Sequence, residues 1–227
     1  PLAQSLALER VIGSTTKSNV AFAANPTKNE FATVAGCVTV ISALGSEGYV
    51  QEHFLQSGLN TVTSVAYSPD GKYLAVGEKG KDPLVNVWDM SSDAPKLVKS
   101  IGLHRFGVAT LAFSASGSQL VTCGVQHDGM CHVWDVASFL SKSLEPKASV
   151  RVSVVIQGAA FFTEDIFVTV GKRHLKFWFI ETSEEGKVSI EGRTAVLGAH
   201  RSSTFKQIEV IGDLCLAITE DGHLCTV

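Results

Sequence analysis

The sequence lacks the segments that mark several classes of protein. No stretch approaches the ~18 uninterrupted apolar residues of a membrane-spanning helix. The opening "PLAQSLALERVIG" has neither a basic region nor a long apolar core, so it does not resemble a signal peptide. The net charge is only -3, which argues against a domain built to bind nucleic acid. We therefore expect a protein whose partners are neither membranes nor nucleic acids.

Cysteines are few, and their spacing shows no paired motif. The chain has 5 cysteines, an odd number, and no Cys-x-x-Cys pair occurs among Cys37, Cys123, Cys131, Cys215 and Cys225. A disulfide framework or a zinc module would need more regular spacing. We expect buried, reduced thiols in an intracellular, cytoplasmic protein.

Signatures of catalysis are also missing. The chain has no Gly-x-Ser-x-Gly, no glycine-rich phosphate loop and no His-Glu-x-x-His. Nothing marks an activated serine or cysteine nucleophile. We therefore predict a protein that is not an enzyme and has no cofactor.

A repeat of short strands is what the sequence does contain. Trp88, Trp134 and Trp178 recur in similar segments at a spacing of about 45 residues, which is typical of a propeller or another repeat array. Between them lie runs rich in Val, Ile, Thr and Phe, broken by Asp-Gly or Ser-Gly turns, and no segment has sustained helical periodicity. We predict an all-β propeller fragment over 1–227, with four-stranded antiparallel blades at 18–58, 59–104, 105–148 and 149–198 and a partial blade at 199–227.

The stretch "CGVQHDGMCHVWD" raises the question of a metal site. Neighbouring side chains on a strand point to opposite faces, so Cys131 and His132 are poorly placed to bind one zinc ion. Cys123 lies on the preceding strand, at no zinc-finger spacing from its potential partners. We predict that these thiols pack between blades and that the chain holds no metal.

The segments "SPDGKYLAVGEKGKDPLVNVWDM" and "AFSASGSQLVTCGVQHDGMCHVWDV" resemble WD repeats. The resemblance implies a structural hydrogen-bonded set of one His, one Ser or Thr, one Asp and the Trp in each blade. In the third blade its members would be His104, Thr122, Asp128 and Trp134. The second blade offers Asp82 and Trp88 but has Asn60 in place of the histidine. The fourth has Lys172 where the aspartate would fall, so we expect its set to be broken.

A narrower family resemblance extends over roughly residues 6–200. The segments "VAGCVTVIS", "GEKGKDPLVNVWD", "HRFGVATLAFS", "GVQHDGMCHVWD" and "VTVGKRHLKFWF" are similar, in this order, to the amino-terminal propeller of the mitogen-activated-protein-kinase-binding-protein 1 family. That family includes the microcephaly-associated WD-repeat scaffold of centrosomes and spindle poles. The echinoderm-microtubule-associated-protein-like family shares several of the features. By resemblance, kinase-docking segments would lie in a carboxy-terminal region that these residues do not include.

Positive charge is expected to concentrate at one end of the propeller. Loops between second and third strands and loops between blades emerge together. They carry Lys79, Lys81, His104, Arg105, His127, Lys172-Arg173-His174 and His200-Arg201, opposed only by Glu78, Asp82 and Asp128. Such a field attracts acidic partners over about 8–10 Å at physiological salt. Lysines kept for solubility are the simpler interpretation. The functional interpretation is a docking rim for an acidic protein surface, such as a tubulin tail or a kinase-pathway component.

Three classes of function remain open at this stage. The first, which the absent catalytic groups favour, is a scaffold propeller of a cytoskeletal, centrosomal or kinase-signalling protein. The second is a structural microtubule-associated propeller, possibly in an axoneme. A propeller enzyme is the third, and it would need metal ligands or acidic and arginine groups converging on the channel. By resemblance, the location would be the cytoplasm and its cytoskeleton, at centrosomes, spindle poles or microtubules.

Closure of the propeller is the last expectation from the sequence. We predict an unpaired opening strand at 6–13, four blades and three strands of a fifth. That opening strand could complete a five-bladed ring by pairing with the strand around Leu224. We expect instead an arc of a larger propeller whose end blades expose apolar faces.

Overall fold

The protein is an all-β propeller of five antiparallel sheets, each formed by consecutive strands. A computed structural model describes residues 8–16, 18–141 and 145–227. Strand order within every sheet follows the chain, so each sheet is an up-and-down meander of the kind that builds propeller blades. The predicted fold class is confirmed.

The first two blades have four strands each. A single 3-10 turn at Asn19–Ala21 precedes the first of them. The strands of the first blade are β1 (Phe22–Ala24), β2 (Glu30–Ala35), β3 (Val38–Gly45) and β4 (Gly48–Leu55). Those of the second are β5 (Thr61–Tyr67), β6 (Tyr73–Lys79), β7 (Val85–Asp89) and β8 (Lys96–Ile101).

The third and fourth blades repeat this plan, with one short helix between strands of the third. The third blade contains β9 (Val108–Phe113), β10 (Gln119–Gly124), β11 (Met130–Asp135), helix α1 (Val136–Ser141) and β12 (Ala148–Arg151). The fourth contains β13 (Ile156–Thr163), β14 (Ile166–Gly171), β15 (His174–Thr182) and β16 (Val188–Thr194). Helix α1 was not expected from the sequence.

The fifth blade has three strands in the described part of the chain. A 3-10 turn at Gly198–His200 leads into it, and its strands are β17 (Phe205–Ile211), β18 (Leu214–Thr219) and β19 (Leu224–Thr226). The opening strand predicted at 6–13 is not observed over residues 8–13, and residues 6–7 lie outside the described part. There Val11 exchanges backbone hydrogen bonds of 2.8 and 2.9 Å with the side-chain amide of Gln51 on β4. The segment therefore lies against the first blade and not against β19.

Apolar side chains fill the spaces between neighbouring blades. Every residue of β10 is buried, because this strand lies inside its sheet and both of its faces pack against other blades. Trp134 packs among side chains of the second and third blades, whereas Cys131 and Val133 pack among those of the third and fourth. The alternation of faces along β11 thus joins three blades into one structure.

The innermost strands surround a central channel of about 1250 Å³, lined by residues of β1, β5, β9, β13 and β17. Consecutive inner strands pack against one another. The first and fifth blades approach at the channel, where Asn19 donates a hydrogen bond to Gln207.

The loops that connect second to third strands emerge at the same end as the connections between blades. Short backbone contacts join these loops, including the bridges Lys79–Gly107 and Lys172–Thr204. We call this end the upper face, and the end formed by the remaining loops the lower face. The residues predicted to bind a partner lie in loops of the upper face, except Lys79, which ends the strand leading into one of them.

Candidate protein-interaction face

A chain of hydrogen bonds in the third blade supports the upper face from below. Trp134 Nε1–H donates to Thr122 Oγ1 over 3.2 Å, and the Thr122 hydroxyl lies 3.0 Å from His104 Nε2. His104 Nδ1 contacts Asp128 Oδ2 directly. If the hydroxyl donates to Nε2 and Nδ1–H donates to the carboxylate, each polar hydrogen has one acceptor. The structure thus brings the four residues of the predicted set together.

The hydrogen bond between His104 and Asp128 is shielded from water, since the two side chains are only 2% and 3% exposed. Burial alone would raise the pKa of Asp128, but hydrogen bonds from His104 and from the Arg105 N–H (2.8 Å) outweigh it and hold the pKa below its ordinary value. Gly124 makes room for this carboxylate, because a Cβ there would lie 2.0 Å from Asp128 Oδ2. The pair therefore fixes the loop that contains Arg105.

The second blade solves the same structural problem with a different carboxylate. Glu78 is 3% exposed and accepts four hydrogen bonds. Its Oε1 accepts from Asn86 Nδ2 at 2.7 Å and Ser57 Oγ at 3.0 Å. Its Oε2 accepts from Asn60 Nδ2 at 3.1 Å and Leu84 N at 3.2 Å. Several neutral donors thus replace one histidine, which is how the charge is satisfied without a cation.

Asp82, the carboxylate that the sequence suggested for the second blade, is exposed and has a positive φ of 49°. Its loop turns it toward solvent, while Glu78 at the end of β6 points into the blade. The sequence signal for Glu78 was present but weak: an acidic residue at the end of an otherwise apolar strand.

The fourth blade keeps part of a set in spite of Lys172. Trp178 Nε1–H donates to Thr169 Oγ1 over 2.8 Å, and that hydroxyl lies 2.8 Å from His174 Nε2. His174 comes from the start of β15 and is buried, although the sequence placed it with the rim cations. Burial and, to a lesser extent, the charge of the nearby Lys176 lower its pKa to about 4. The ring is therefore neutral and structural.

The cysteine-rich stretch is a packing element in the structure. Cys123 and Cys131 are opposite one another on β10 and β11, and both side chains are buried among residues facing the fourth blade. The adjoining Cys123 thiol and burial raise the pKa of Cys131 well above its ordinary value. His132 points to the other face and bonds Ser149 Oγ at 2.7 Å. Within the described ranges, no cluster of three or more His, Cys, Asp or Glu residues has metal-site geometry.

The six cations predicted for the rim are all exposed on the upper face: Lys79, Lys81, Arg105, Lys172, Arg173 and Arg201. Among the residues that the structure describes, none of them forms an ion pair. We call them the rim cations.

Backbone contacts sort the rim cations into two groups. The bridge between Lys79 and Gly107 joins the loops of the second and third blades, which carry Lys79, Lys81 and Arg105. The Arg173 N–H donates to Ser203 O at 2.9 Å, which joins the loops carrying Lys172, Arg173 and Arg201. Charge from distant parts of the sequence is thereby concentrated in two places.

Negative charge is distributed differently. On the upper face, Asp128 is hydrogen-bonded to His104 and Glu220 is paired with Lys206 at 3.0 Å, while Asp82 and Asp221 are exposed. Most loop carboxylates lie on the lower face: Asp70, Asp89, Asp93, Asp135, Glu164, Asp165, Glu184, Glu185 and Asp213. Although the net charge of the chain is -3, its charge is unevenly distributed: cations predominate on the upper face and carboxylates on the lower face.

Comparisons with known proteins agree with this architecture. The model of the WD domain, G-beta repeat, matches residues 49–89 and 95–135. A chain from a solved structure, "Crystal Structure of Mitotic Checkpoint Complex", superimposes with a TM-score of 0.68 over 90% of this chain and 60% of that chain. At 18% identity, this likeness shows the fold alone. No helix in the described ranges has the length and hydropathy to cross a membrane.

Sequence relatives are more informative. The chain is 36% identical to mitogen-activated protein kinase-binding protein 1 of Mus musculus over 99% of its own length and 15% of that protein. It is 36% identical to WD repeat-containing protein 62 of Sus scrofa over 88% of its length and 13% of the relative. Cilia- and flagella-associated protein 52 of Bos taurus is 28% identical over 79% of the chain and 29% of the relative. The chain thus spans a small part of these relatives. It is a WD-repeat β-propeller, similar in sequence to mitogen-activated protein kinase-binding protein 1 and WD repeat-containing protein 62.

Proposed function

We propose that this propeller is a non-enzymatic interaction scaffold that binds an acidic protein surface through its upper face. The observation that carries the proposal is the set of six exposed rim cations without ion-pair partners in the described residues, above a lower face rich in carboxylates. Exposed charges add little to folding stability, but they govern the rate and orientation of association.

The WD-repeat fold and the relatives support the general role of the scaffold. WD propellers present loops on a rigid framework, and the relatives with similar sequences are named for kinase binding or for WD repeats. We propose that the cellular setting is cytoplasmic and cytoskeletal or kinase-signalling, with centrosomes, spindle poles or microtubules as the places of action. The acidic partner would be a tubulin tail or a kinase-pathway component.

A second candidate is a structural microtubule-associated propeller. Its support is the similarity to a protein named cilia- and flagella-associated protein 52. In this case the upper face would bind the microtubule lattice itself as part of a stable assembly.

The first test reverses the charge of one group of rim cations. The triple substitution Lys172→Glu, Arg173→Glu and Arg201→Glu is expected to weaken co-sedimentation with microtubules, and the difference from wild type should shrink as salt increases. The melting temperature should hardly change, because all three side chains are exposed. Binding that equals wild type at every salt concentration would refute a docking role for these cations.

A matched triple variant of the lower face serves as the control. Lys72→Glu, Lys96→Glu and Lys187→Glu change the net charge equally at the opposite end of the propeller. If both triple variants lose binding to the same extent, only net charge matters and the upper face is not a specific site.

Proteolytic removal of the tubulin tails separates the two candidates. A scaffold that binds acidic tails should lose its microtubule affinity when the tails are removed, whereas a propeller that binds the lattice should keep most of it. If intact microtubules do not bind at all, affinity capture with the wild-type and triple-variant proteins tests kinase-pathway components instead.

A further inference from the structure

A groove on the upper face lies beside the rim cations of the second and third blades, and Lys79 is part of its lining. It has a volume of about 580 Å³, within the ~300–1,000 Å³ typical of protein sites that bind ligands. Loops of the second, third and fourth blades form it. Its apolar lining comes from Phe106, Ala109, Val125, Val155 and Ile156.

Large apolar side chains are exposed in this groove. Phe106 is 46% exposed and Val155 is 37% exposed. Phe106 is supported on one side by the ring of His127, with centroids 6.3 Å apart, and on another by the guanidinium of Arg105 at 5.7 Å. The aromatic ring therefore has a defined position while one part of it remains open to a partner.

The loop that presents Phe106 is fixed before any partner binds. The Arg105 N–H donates to Asp128, and Gly107 O accepts from the Val125 N–H at 2.9 Å. Gly107 also bridges to Lys79, and a Cβ at Gly107 would lie 2.8 Å from the Lys79 Cβ. Contacts on both sides of Phe106 thus hold the groove open, which lowers the entropy lost on binding.

The charge around the groove selects the kind of partner. Lys79 lines it, Arg105 covers one side of Phe106, and no carboxylate is among the described residues that line it. Asp128, which accepts from the Arg105 N–H, is already hydrogen-bonded to His104. An apolar side chain flanked by carboxylates would satisfy both the apolar lining and the unpaired cations, whereas a basic segment would be repelled.

We infer that this groove binds an extended acidic segment of a partner protein, with one aromatic or large aliphatic side chain seated against Phe106, Val155 and Ile156. The inference rests on the proposed scaffold function and adds the sequence character of the partner: one apolar anchor with Asp or Glu on either side. The rim cations would orient the segment, and the groove would supply specificity.

Random peptides displayed on phage are a suitable probe, since the natural partner is not identified. Selection on the wild-type protein is expected to enrich Phe, Trp, Leu or Ile flanked by Asp or Glu. The most enriched peptide, made synthetically, should bind Phe106→Ser at least about tenfold more weakly in fluorescence anisotropy, as expected for the loss of a central aromatic contact.

Leu59→Ser is the matched control, because Leu59 is also exposed on the upper face but does not line the groove. It should bind as wild type does.

Several outcomes would overturn the inference. Enriched peptides without acidic residues would exclude the proposed partner class, and equal binding by wild type and Phe106→Ser would exclude the groove. If the peptides lose affinity for the Lys172, Arg173 and Arg201 triple variant but not for Phe106→Ser, the docking function stands and the groove fails. If acidic peptides are not selected and microtubule binding is also unaffected by the triple variant, both proposals fail. Unchanged melting temperatures show that each variant remains folded.

Discussion

The indole N–H of Trp134 on β11 donates to the hydroxyl of Thr122 on β10, directly beneath the loop that carries Arg105 and Phe106. This contact connects the interior between the second and third blades to the upper face. Through Thr122, it also reaches His104. Stability of the interior and geometry of the loop with Arg105 and Phe106 are therefore linked, and each link can be measured.

The first prediction concerns Trp134. Replacing it with Ala removes a fully buried ring and leaves the Thr122 hydroxyl without its donor, so the free energy of unfolding should fall by about 3–5 kcal/mol. Trp134→Phe retains much of the packing and should lose less. Chemical denaturation measures both, and a loss under about 1 kcal/mol for the Ala variant would show that the ring is not part of the core.

Asp128 provides a test of the link to the loop with Arg105 and Phe106. Asp128→Ala removes the acceptor of both His104 and the Arg105 N–H. We expect the Arg105 amide to exchange its hydrogen at least about tenfold faster, because local opening no longer breaks a charge-assisted hydrogen bond. Asp221→Ala, an exposed change on the same face, is the control. Unchanged exchange at Arg105 would show that the hydrogen bonds to Asp128 do not hold this loop.

The outcome at the second blade shows how much could be predicted from the sequence. Tryptophan spacing and strand periodicity were sufficient for the architecture, because propeller blades are local meanders with fixed lengths. They were not sufficient to choose between Glu78 and Asp82. That choice depends on where β6 ends and on the positive φ of Asp82, which only the three-dimensional backbone determines.

Other differences have similar physical causes. His174 follows two cations in the sequence and was assigned to the rim, but it begins β15 and turns inward to Thr169. Helix α1 has 6 residues, too few to produce a periodic apolar pattern. The alternating pattern near Val11 resembles a strand, yet the side-chain amide of Gln51 takes the place of a strand partner. The apolar groove was not predicted, because its lining comes from separate loops.

Glu78 gives a third prediction, on the blade where the sequence was ambiguous. In Glu78→Gln, the new amide N–H₂ would face two donors, so the free energy of unfolding should fall by about 2 kcal/mol even though a buried charge is removed. Asp82→Asn makes the same chemical change at an exposed site and should stay within about 0.5 kcal/mol of wild type. Equal effects in the two variants would contradict the assignment of Glu78 as the buried acceptor.

The buried histidines predict a loss of stability in mild acid. Burial lowers the pKa of His132 and of His174 to about 4, whereas an unfolded histidine titrates near the ordinary value of 6.5. The unfolded state therefore binds more protons between these values, and stability that is present above pH ~6.5 is lost as the pH falls toward ~4. From pH 7 to pH 5, each histidine should contribute a loss of about 2 kcal/mol. His174→Gln should reduce the slope of unfolding free energy against pH, and an unchanged slope would mean that this ring is not buried as a neutral group.

The last prediction concerns the outward side of the fifth blade. Cys215 and Ala217 of β18 are buried against the fourth blade, whereas the alternate residues Leu214 and Ile218 are exposed, as is Leu224 of β19. Inner positions of the fourth blade are buried on both faces, so the fifth blade differs in having one apolar side without a neighbour among the described residues. Exposed apolar surface of this kind favours self-association.

We expect residues 1–227, prepared alone, to bind the dye 8-anilinonaphthalene-1-sulfonate and to show concentration-dependent light scattering. The double variant Ile218→Lys and Leu224→Lys should reduce both signals at an unchanged melting temperature, and Leu97→Lys with Val98→Lys on the exposed outer strand β8 should not. If the protein stays monomeric and does not bind the dye, or if both double variants act alike, the outward side of the fifth blade is not the surface that mediates self-association.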